Sequence, residues 1–158
     1  MLARNDEIKE IDELDLRLLE ALQRNARATF AELGSLIGLK PPAVHERVKR
    51  LERHGHIRGY GARLDGPRLG YALTAFVSCY TTPDCDYDDF MRRLSSLPEV
   101  CEVHSVAGEE SYVCKVVTRS TQHLDDLLGR LKAMRGMART RTTIVLSTPY
   151  EREGIALA

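Results

Sequence analysis

From Asp12 to Leu51 the apolar positions recur at three- and four-residue spacing, a pattern that predicts helices. Leu14, Leu18 and Leu22 form the first stripe and Leu19 broadens it, while Arg17, Glu20 and Arg24 lie off it. Asp12 suits the N-cap of this helix, with Asp15 at its third position. A second helix opens at Thr29, where Glu32 three residues on completes a capping box. It carries Leu33, Leu36 and Ile37 inward and stops at Gly38. Pro41 and Pro42 fit only the first turn of a third helix. There Val44, Val48 and Leu51 face inward together. The opposite side carries Pro42, Ala43, Glu46, Lys49, Arg50 and Arg53, with His45 and Arg47 on the flanks. Two short helices around a glycine turn have the layout of a helix-turn-helix, with the first helix closing a three-helix core.

Beyond Gly55 the pattern changes. His56 to Leu64 reads as a short extended piece, the wing of a winged helix-turn-helix, and Asp65-Gly66-Pro67 is a strong turn signal. Residues 72–82 are rich in β-formers, and residues 86–97 are helical with Tyr87, Phe90, Met91, Leu94 and Leu97 inward. Residues 100–107 and 111–118 read as strands around Gly108. Residues 121–134 form a helix on Leu124, Leu127, Leu128 and Leu131, and residues 138–148 form a β-branched strand. This β-α-β-β-α-β order predicts a ferredoxin-like sheet with both helices on one face. The expected class is α+β: a helix-turn-helix domain over 1–64, a linker at 65–71, a ferredoxin-like domain over 72–150 and a tail at 151–158. The sheet's other face, with Tyr80, Val103, Val113, Val117 and Val145, is expected to be apolar and to associate with a second copy.

Charge sharpens the first half of this picture. The chain is balanced, 23 Lys plus Arg against 23 Asp plus Glu. Residues 40–63 nevertheless carry Lys40, Arg47, Lys49, Arg50, Arg53, Arg58 and Arg63 against only Glu46 and Glu52, a local basic block that suits nucleic acid. Lys49, Arg50 and Arg53 are the leading DNA contacts, Arg50 as a base reader and the other two toward phosphate. Arg47 reads equally as a DNA contact or as the partner of an acid in its own domain. Glu46 could accept from a cytosine or pair with Arg50 at i+4. Pro42, Ala43 and His45 could touch base edges, or serve as helix initiator and solvated positions.

Composition excludes several classes. The acidic start MLARNDEIKE carries no secretory signal pattern, and no apolar run reaches the roughly 18 residues of a membrane span. Cys79, Cys85, Cys101 and Cys114 lack C-x-x-C spacing, which argues against zinc and against a secreted disulfide scaffold. Buried reduced thiols in a cytoplasmic protein without metal or cofactor are expected.

The segments IDELDLRLLEALQRNAR, AELGSLIGLKPPAVHERVKRLERHGHIRGYGARLD, LGYALTAFV, VAGEESYVCKVV and TTIVLS, in this order, resemble the Lrp/AsnC (feast/famine) family of transcription regulators over about Asp12 to Tyr150. The resemblance implies a DNA-binding domain, a ferredoxin-like effector domain that pairs into homodimers through its sheet and further into octamers, and an amino acid or related effector bound between effector domains. It places Lys40 at the N-cap of the recognition helix, where the family usually has Ser, and makes Lys40 a possible phosphate contact. It places the effector loop at Gly108, Glu109, Glu110, Ser111 and Tyr112, with Thr140 and Thr142 on one side of the last strand near the ligand. Ser111 stands where many relatives carry an acid. Two other readings remain: a DNA-architectural protein indifferent to small molecules, and a sirohaem decarboxylase-like enzyme using His104 with Arg139 or Arg141. The expected protein is not an enzyme.

Overall fold

A computed structural model describes residues 11–152 and 154–157; the acidic start at 1–10 lies outside them. The chain divides into two compact units, Met1–Ala62 with Tyr150–Ala158, and Arg63–Pro149. The break at Ala62 precedes the expected linker, and the tail belongs with the helical unit.

The first unit holds α1 (Glu13–Arg24), α2 (Phe30–Ile37) and α3 (Pro41–Arg53). The expected capping box of Thr29 with Glu32 forms, and Asp12, expected as an N-cap, makes a second box with Asp15, so one orphan amide at each helix start is satisfied locally. Leu18, Leu33, Ile37, Val44 and Val48 make the core, with Leu14, Ala21, Leu22 and Ile57 packed against it. Leu36 differs from expectation: it is 51% exposed, and its carbonyl accepts a 2.7 Å hydrogen bond from Arg17. Gly34 brings α2 against the turn into α3, because a Cβ there would stand 2.4 Å from the Leu39 carbonyl oxygen. No strand forms over residues 56–64, so the wing is an irregular segment. Tyr60 anchors it by donating to Glu52 at 3.1 Å. In the tail, the Gln23 amide accepts from the Ile155 N–H at 2.8 Å and donates to its carbonyl at 3.2 Å.

The second unit opens with a short 3-10 turn at Pro67–Leu69, then β1 (Leu73–Thr81), α4 (Tyr87–Ser95), β2 (Val100–Ser105), β3 (Tyr112–Thr118), α5 (Thr121–Lys132) and β4 (Met137–Ile144). The sheet order is β2-β3-β1-β4 and every pairing is antiparallel, the ferredoxin-like arrangement. Ala75, Val77, Cys79, Tyr112, Cys114 and Val116 point from the sheet into a core closed by Phe90, Leu94, Leu124, Leu127 and Leu131. Tyr87 is exposed.

The other face is not the apolar surface expected. Val103 packs against the core instead, because the register shifts between Val100 and Glu102 and a bulge reverses the in-out parity beyond it. Val145 lies past the end of β4. The outer face presents Phe76, Val113 and Val117 flanked by Arg139, Arg141, Lys115 and Glu102. The Arg139 guanidinium lies 3.5 Å above the ring of Tyr80, which is thereby covered. Cys79, Cys85 and Cys114 are buried free thiols, whereas Cys101 is exposed. Among the described residues no helix is long and apolar enough to cross a membrane, and no group of three or more His, Cys, Asp or Glu is arranged to hold a metal.

Candidate nucleic-acid interface and effector loop

The third helix starts without a side-chain cap. Lys40 makes no cap hydrogen bond, and Pro41 and Pro42 remove the first two amides. The third, at Ala43, already donates to the Lys40 carbonyl at 3.0 Å, so little is left for a cap to satisfy. Val44, Val48 and Leu51 seal one side of α3 in the core. Lys40, Pro42, Ala43, Glu46, Lys49 and Arg53 lie on the exposed side, with His45 half-buried at the flank. His45 is held edge-on to Phe30, ring centroids 5.2 Å apart, and its Nδ1 stands 3.6 Å from Glu46. Lys49, itself exposed, forms a 3.3 Å pair with the half-buried Glu52, a contact weak near the surface. Arg53 has no ion pair among the described residues.

The two remaining arginines turn toward α1. Arg47 donates through Nη1 to Asp12 at 2.6 Å and Asp15 at 2.8 Å. Arg50 donates through Nη2 to the second oxygen of Asp15 at 2.5 Å, not to Glu46. The side chain of Arg47 is 23% exposed and that of Arg50 41%, against 1% for Asp15. Burial pushes the Asp12 carboxyl up, but the Arg47 hydrogen bond, the Asp15 amide and the charges of Arg47 and Arg50 together bring it below its usual range. The Arg47 guanidinium, bonded to Asp12 and Asp15, is held more firmly protonated. The sequence marks Asp12 and Asp15 only as the start of a helix; their pairing with arginines more than 30 positions away has no local signal.

In the second unit the loop between β2 and β3 carries Gly108, Glu109, Glu110 and Ser111, Tyr112 opens β3, and Thr140 and Thr142 lie on β4. Gly108 is outside the left-handed region, and a Cβ there would meet Glu110 only at an ordinary 3.6 Å, so this chain's own fold does not require the glycine. Glu109 is the outermost, its side chain 87% exposed and 3.9 Å from Arg139; Glu110 is mostly covered and stands 3.9 Å from Arg141. The Ser111 hydroxyl is engaged by Thr81 Oγ1 at 2.7 Å. Tyr112 is buried, its ring stacked on Phe90 with centroids 5.7 Å apart. Thr140 and Thr142 are opposite Cys79 and Val77 and therefore share the helix-covered side of the sheet. His104 is exposed and 3.0 Å from Glu102, which also accepts from Lys115 at 3.0 Å.

One cluster escaped sequence reasoning. Glu99, buried in the turn immediately before β2, accepts from His123 at 2.9 Å and from Arg130, both on α5. Its other oxygen is buried with no hydrogen-bond partner among the described residues. Burial pushes this carboxyl up, yet the hydrogen bonds from Arg130 and His123 outweigh it and hold it at about 2.

A three-helix DNA-reading unit joined to a ferredoxin-like sheet unit is the two-part plan of a ligand-responsive transcription regulator, and comparison with known proteins agrees. The AsnC-type helix-turn-helix domain matches residues 11–52 and the Lrp/AsnC ligand binding domain matches residues 74–155. The HTH-type transcriptional regulator LrpA of Mycobacterium tuberculosis is 41% identical over 140 residues, spanning 89% of this chain and 93% of that protein. The structure of AsnC from Escherichia coli superposes with a TM-score of 0.85 at 34% identity, covering 90% of this chain and 97% of that one. A feast or famine regulatory protein from M. tuberculosis complexed with L-methionine gives 0.86 at 40% identity, covering 93% and 100%. The chain belongs to the Lrp/AsnC family of transcriptional regulators. It is a DNA-binding regulator with a small-molecule-binding domain, in a family of regulators rather than enzymes.

Proposed function

We propose that the exposed side of α3 enters the major groove, with Lys40, Lys49 and Arg53 on phosphates and Pro42, Ala43, His45 and Glu46 toward base edges. The observation that carries this reading is the sealing of Val44, Val48 and Leu51 in the core, which leaves the opposite side exposed, with Lys40 at one end and Lys49 and Arg53 toward the other. A phosphate competes with Glu52 for Lys49, whose own side chain is exposed, at little cost. Arg50 reaches DNA only through the guanidinium edge that Asp15 leaves free, and Arg47 belongs to the domain's own ion-pair network. Each lost phosphate contact lowers the slope of log affinity against log salt by about 0.9. Lys49→Ala and Arg53→Ala are therefore expected to weaken binding to all duplexes and flatten that slope, as read by fluorescence anisotropy. Unchanged slopes in both variants sink this placement.

We infer further that the effector is an amino acid or a close relative. The L-methionine complex of a 40% identical structure supports this reading. With the Ser111 hydroxyl engaged by Thr81, Tyr112 in the core and Thr140 and Thr142 on the helix side, the groups open to a ligand are the backbone at 108–110 and the Glu109 carboxylate, which suits an ammonium. The effector domains pair as homodimers over Phe76, Val113 and Val117 and assemble toward octamers in the cytoplasm. Thermal stability measured against each of the twenty amino acids tests the effector; no shift with any of them favours the ligand-independent architectural role instead.

A further inference from the structure

We propose that Asp15 is a positioning residue for DNA reading, which sets the rotation of α3 and the direction of the Arg50 guanidinium without touching DNA itself. This rests on α3 being the reading helix.

An acid at the third position of a helix ordinarily needs to meet only the N-cap amide, and does so at the surface. Asp15 meets that amide, accepting from the Asp12 N–H at 3.2 Å, but it is fully buried. A buried carboxylate is costly unless both oxygens are satisfied. Here one oxygen takes Arg47 and the other takes Arg50. Asp12 takes Arg47 as well, so two carboxylates neutralise two guanidinium groups.

Arg47 and Arg50 are three residues apart on α3 and therefore lie on one flank of it. Bonding both to the first turn of α1 fixes α3 against rotation about its axis and against sliding along it. A capping acid alone would do neither. Arg50 uses one nitrogen on Asp15 and keeps 41% of its side chain exposed. A guanidinium has five donors in a rigid plane, so pinning one edge dictates where the other edge points. Freed from Asp15, the same cation becomes a mobile charge that finds any phosphate.

Removing the Asp15 charge should thus produce opposite effects on the two kinds of DNA. The test uses the full-length protein, a duplex that it selects from a randomised pool, and a scrambled duplex of the same composition. Asp15→Asn is expected to lower the ratio of selected to scrambled affinity by about tenfold or more, the worth of one good base contact. On the scrambled duplex the salt slope should steepen by about 0.9, one added phosphate. Asp15→Asn/Arg50→Gln should return that slope to the wild-type value while the preference stays lost. If Asp15→Asn merely shrinks the folded fraction, both duplexes weaken by one factor and the slopes stay fixed, which overturns the proposal. Should Asp15→Asn fail to fold, Arg50→Gln alone decides. It leaves Arg47 on Asp15, and wild-type preference in that variant overturns the proposal. A wild-type protein that enriches no duplex from the pool instead defeats the reading-helix assignment beneath it.

Discussion

Gly34 offers a sharp test of the packing between α2 and α3. An alanine Cβ there would sit 2.4 Å from the Leu39 carbonyl oxygen, where real Cβ atoms rarely come closer than 3.4 Å, and 3.5 Å from Val44. The carbonyl must therefore retreat by about 1 Å. It belongs to backbone that also donates from Leu39 to the Gly34 carbonyl at 3.0 Å, so no side-chain rotation relieves the overlap. Overpacking of this kind costs about 1–3 kcal/mol, and the absence of a flexible neighbour puts Gly34→Ala at the upper end. Alanine returns about 1 kcal/mol of helix propensity over glycine, leaving a net loss of about 2 kcal/mol. Gly129, on the exposed side of α5, is the control: a Cβ there meets nothing within 4 Å. Gly129→Ala should therefore gain up to about 1 kcal/mol. Native-state hydrogen exchange followed by mass spectrometry reads opening free energies segment by segment. Faster exchange over residues 30–53 in Gly34→Ala, and slower exchange over residues 121–132 in Gly129→Ala, are the expected results. Protection of α2 and α3 that is unchanged or higher in Gly34→Ala refutes the close approach.

Glu99, held at about 2 against an ordinary 4.5, contributes about 3 kcal/mol that is fully present above pH 4.5 and lost as pH falls toward 2. The melting temperature should accordingly drop more steeply across that window in the wild type than in Glu99→Gln, and parallel curves would contradict it. Lys40→Ser restores a capping hydroxyl to a helix start whose first two amides are absent and whose third is already bonded. It should change stability by less than about 0.5 kcal/mol, below the usual worth of a cap, while flattening the salt slope of DNA binding; a gain above 1 kcal/mol on thermal unfolding would contradict the accounting. On the proposed two-fold pairing, Phe76, 42% exposed in the single chain, would enter the interface twice. Burying the exposed 42% of a side chain worth about 1.5–3 kcal/mol when fully buried gives about 0.6–1.3 kcal/mol per copy, so Phe76→Glu should weaken dimerisation by about tenfold or more in sedimentation and leave each protomer folded; unchanged sedimentation would remove that face from the interface.

The parts of this molecule legible in the sequence are those set by neighbours in the chain. Asp12 with Asp15 and Thr29 with Glu32 announce helix starts because the groups that satisfy each other are three residues apart. The leucines of α5 announce its buried face because helical period and burial coincide there. Strand faces are more fragile: one bulge near Cys101 reverses the parity of everything after it, which moves Val103 from the outer face to the core and leaves His104 outside. Leu36 satisfies the helical spacing of α2 and is still exposed, since an eight-residue helix needs only Leu33 and Ile37 to meet its two neighbours. Ser111 and Tyr112 lie within the loop that the motif singles out, but their atoms are spent on Thr81 and Phe90, contacts that only the paired sheet brings together.

Arg50 shows most clearly where reading a helical wheel stops. A basic side chain on the flank of a recognition helix reaches far enough to serve DNA on one side or a neighbouring helix on the other, and spacing alone does not choose. The choice lies on α1, 35 positions away, in a carboxylate that also looks like an ordinary capping acid. Once both are in place, two ambiguous residues define each other: Asp15 is buried with two guanidinium groups to satisfy it, and Arg50 is turned toward α1 because the Asp15 carboxylate takes one of its nitrogens. The charge that seemed free for base recognition is therefore partly committed to holding α3 against α1. A neutral chain gains little attraction to DNA from its net charge, so placing the few cations of α3 accurately matters more to it than adding another.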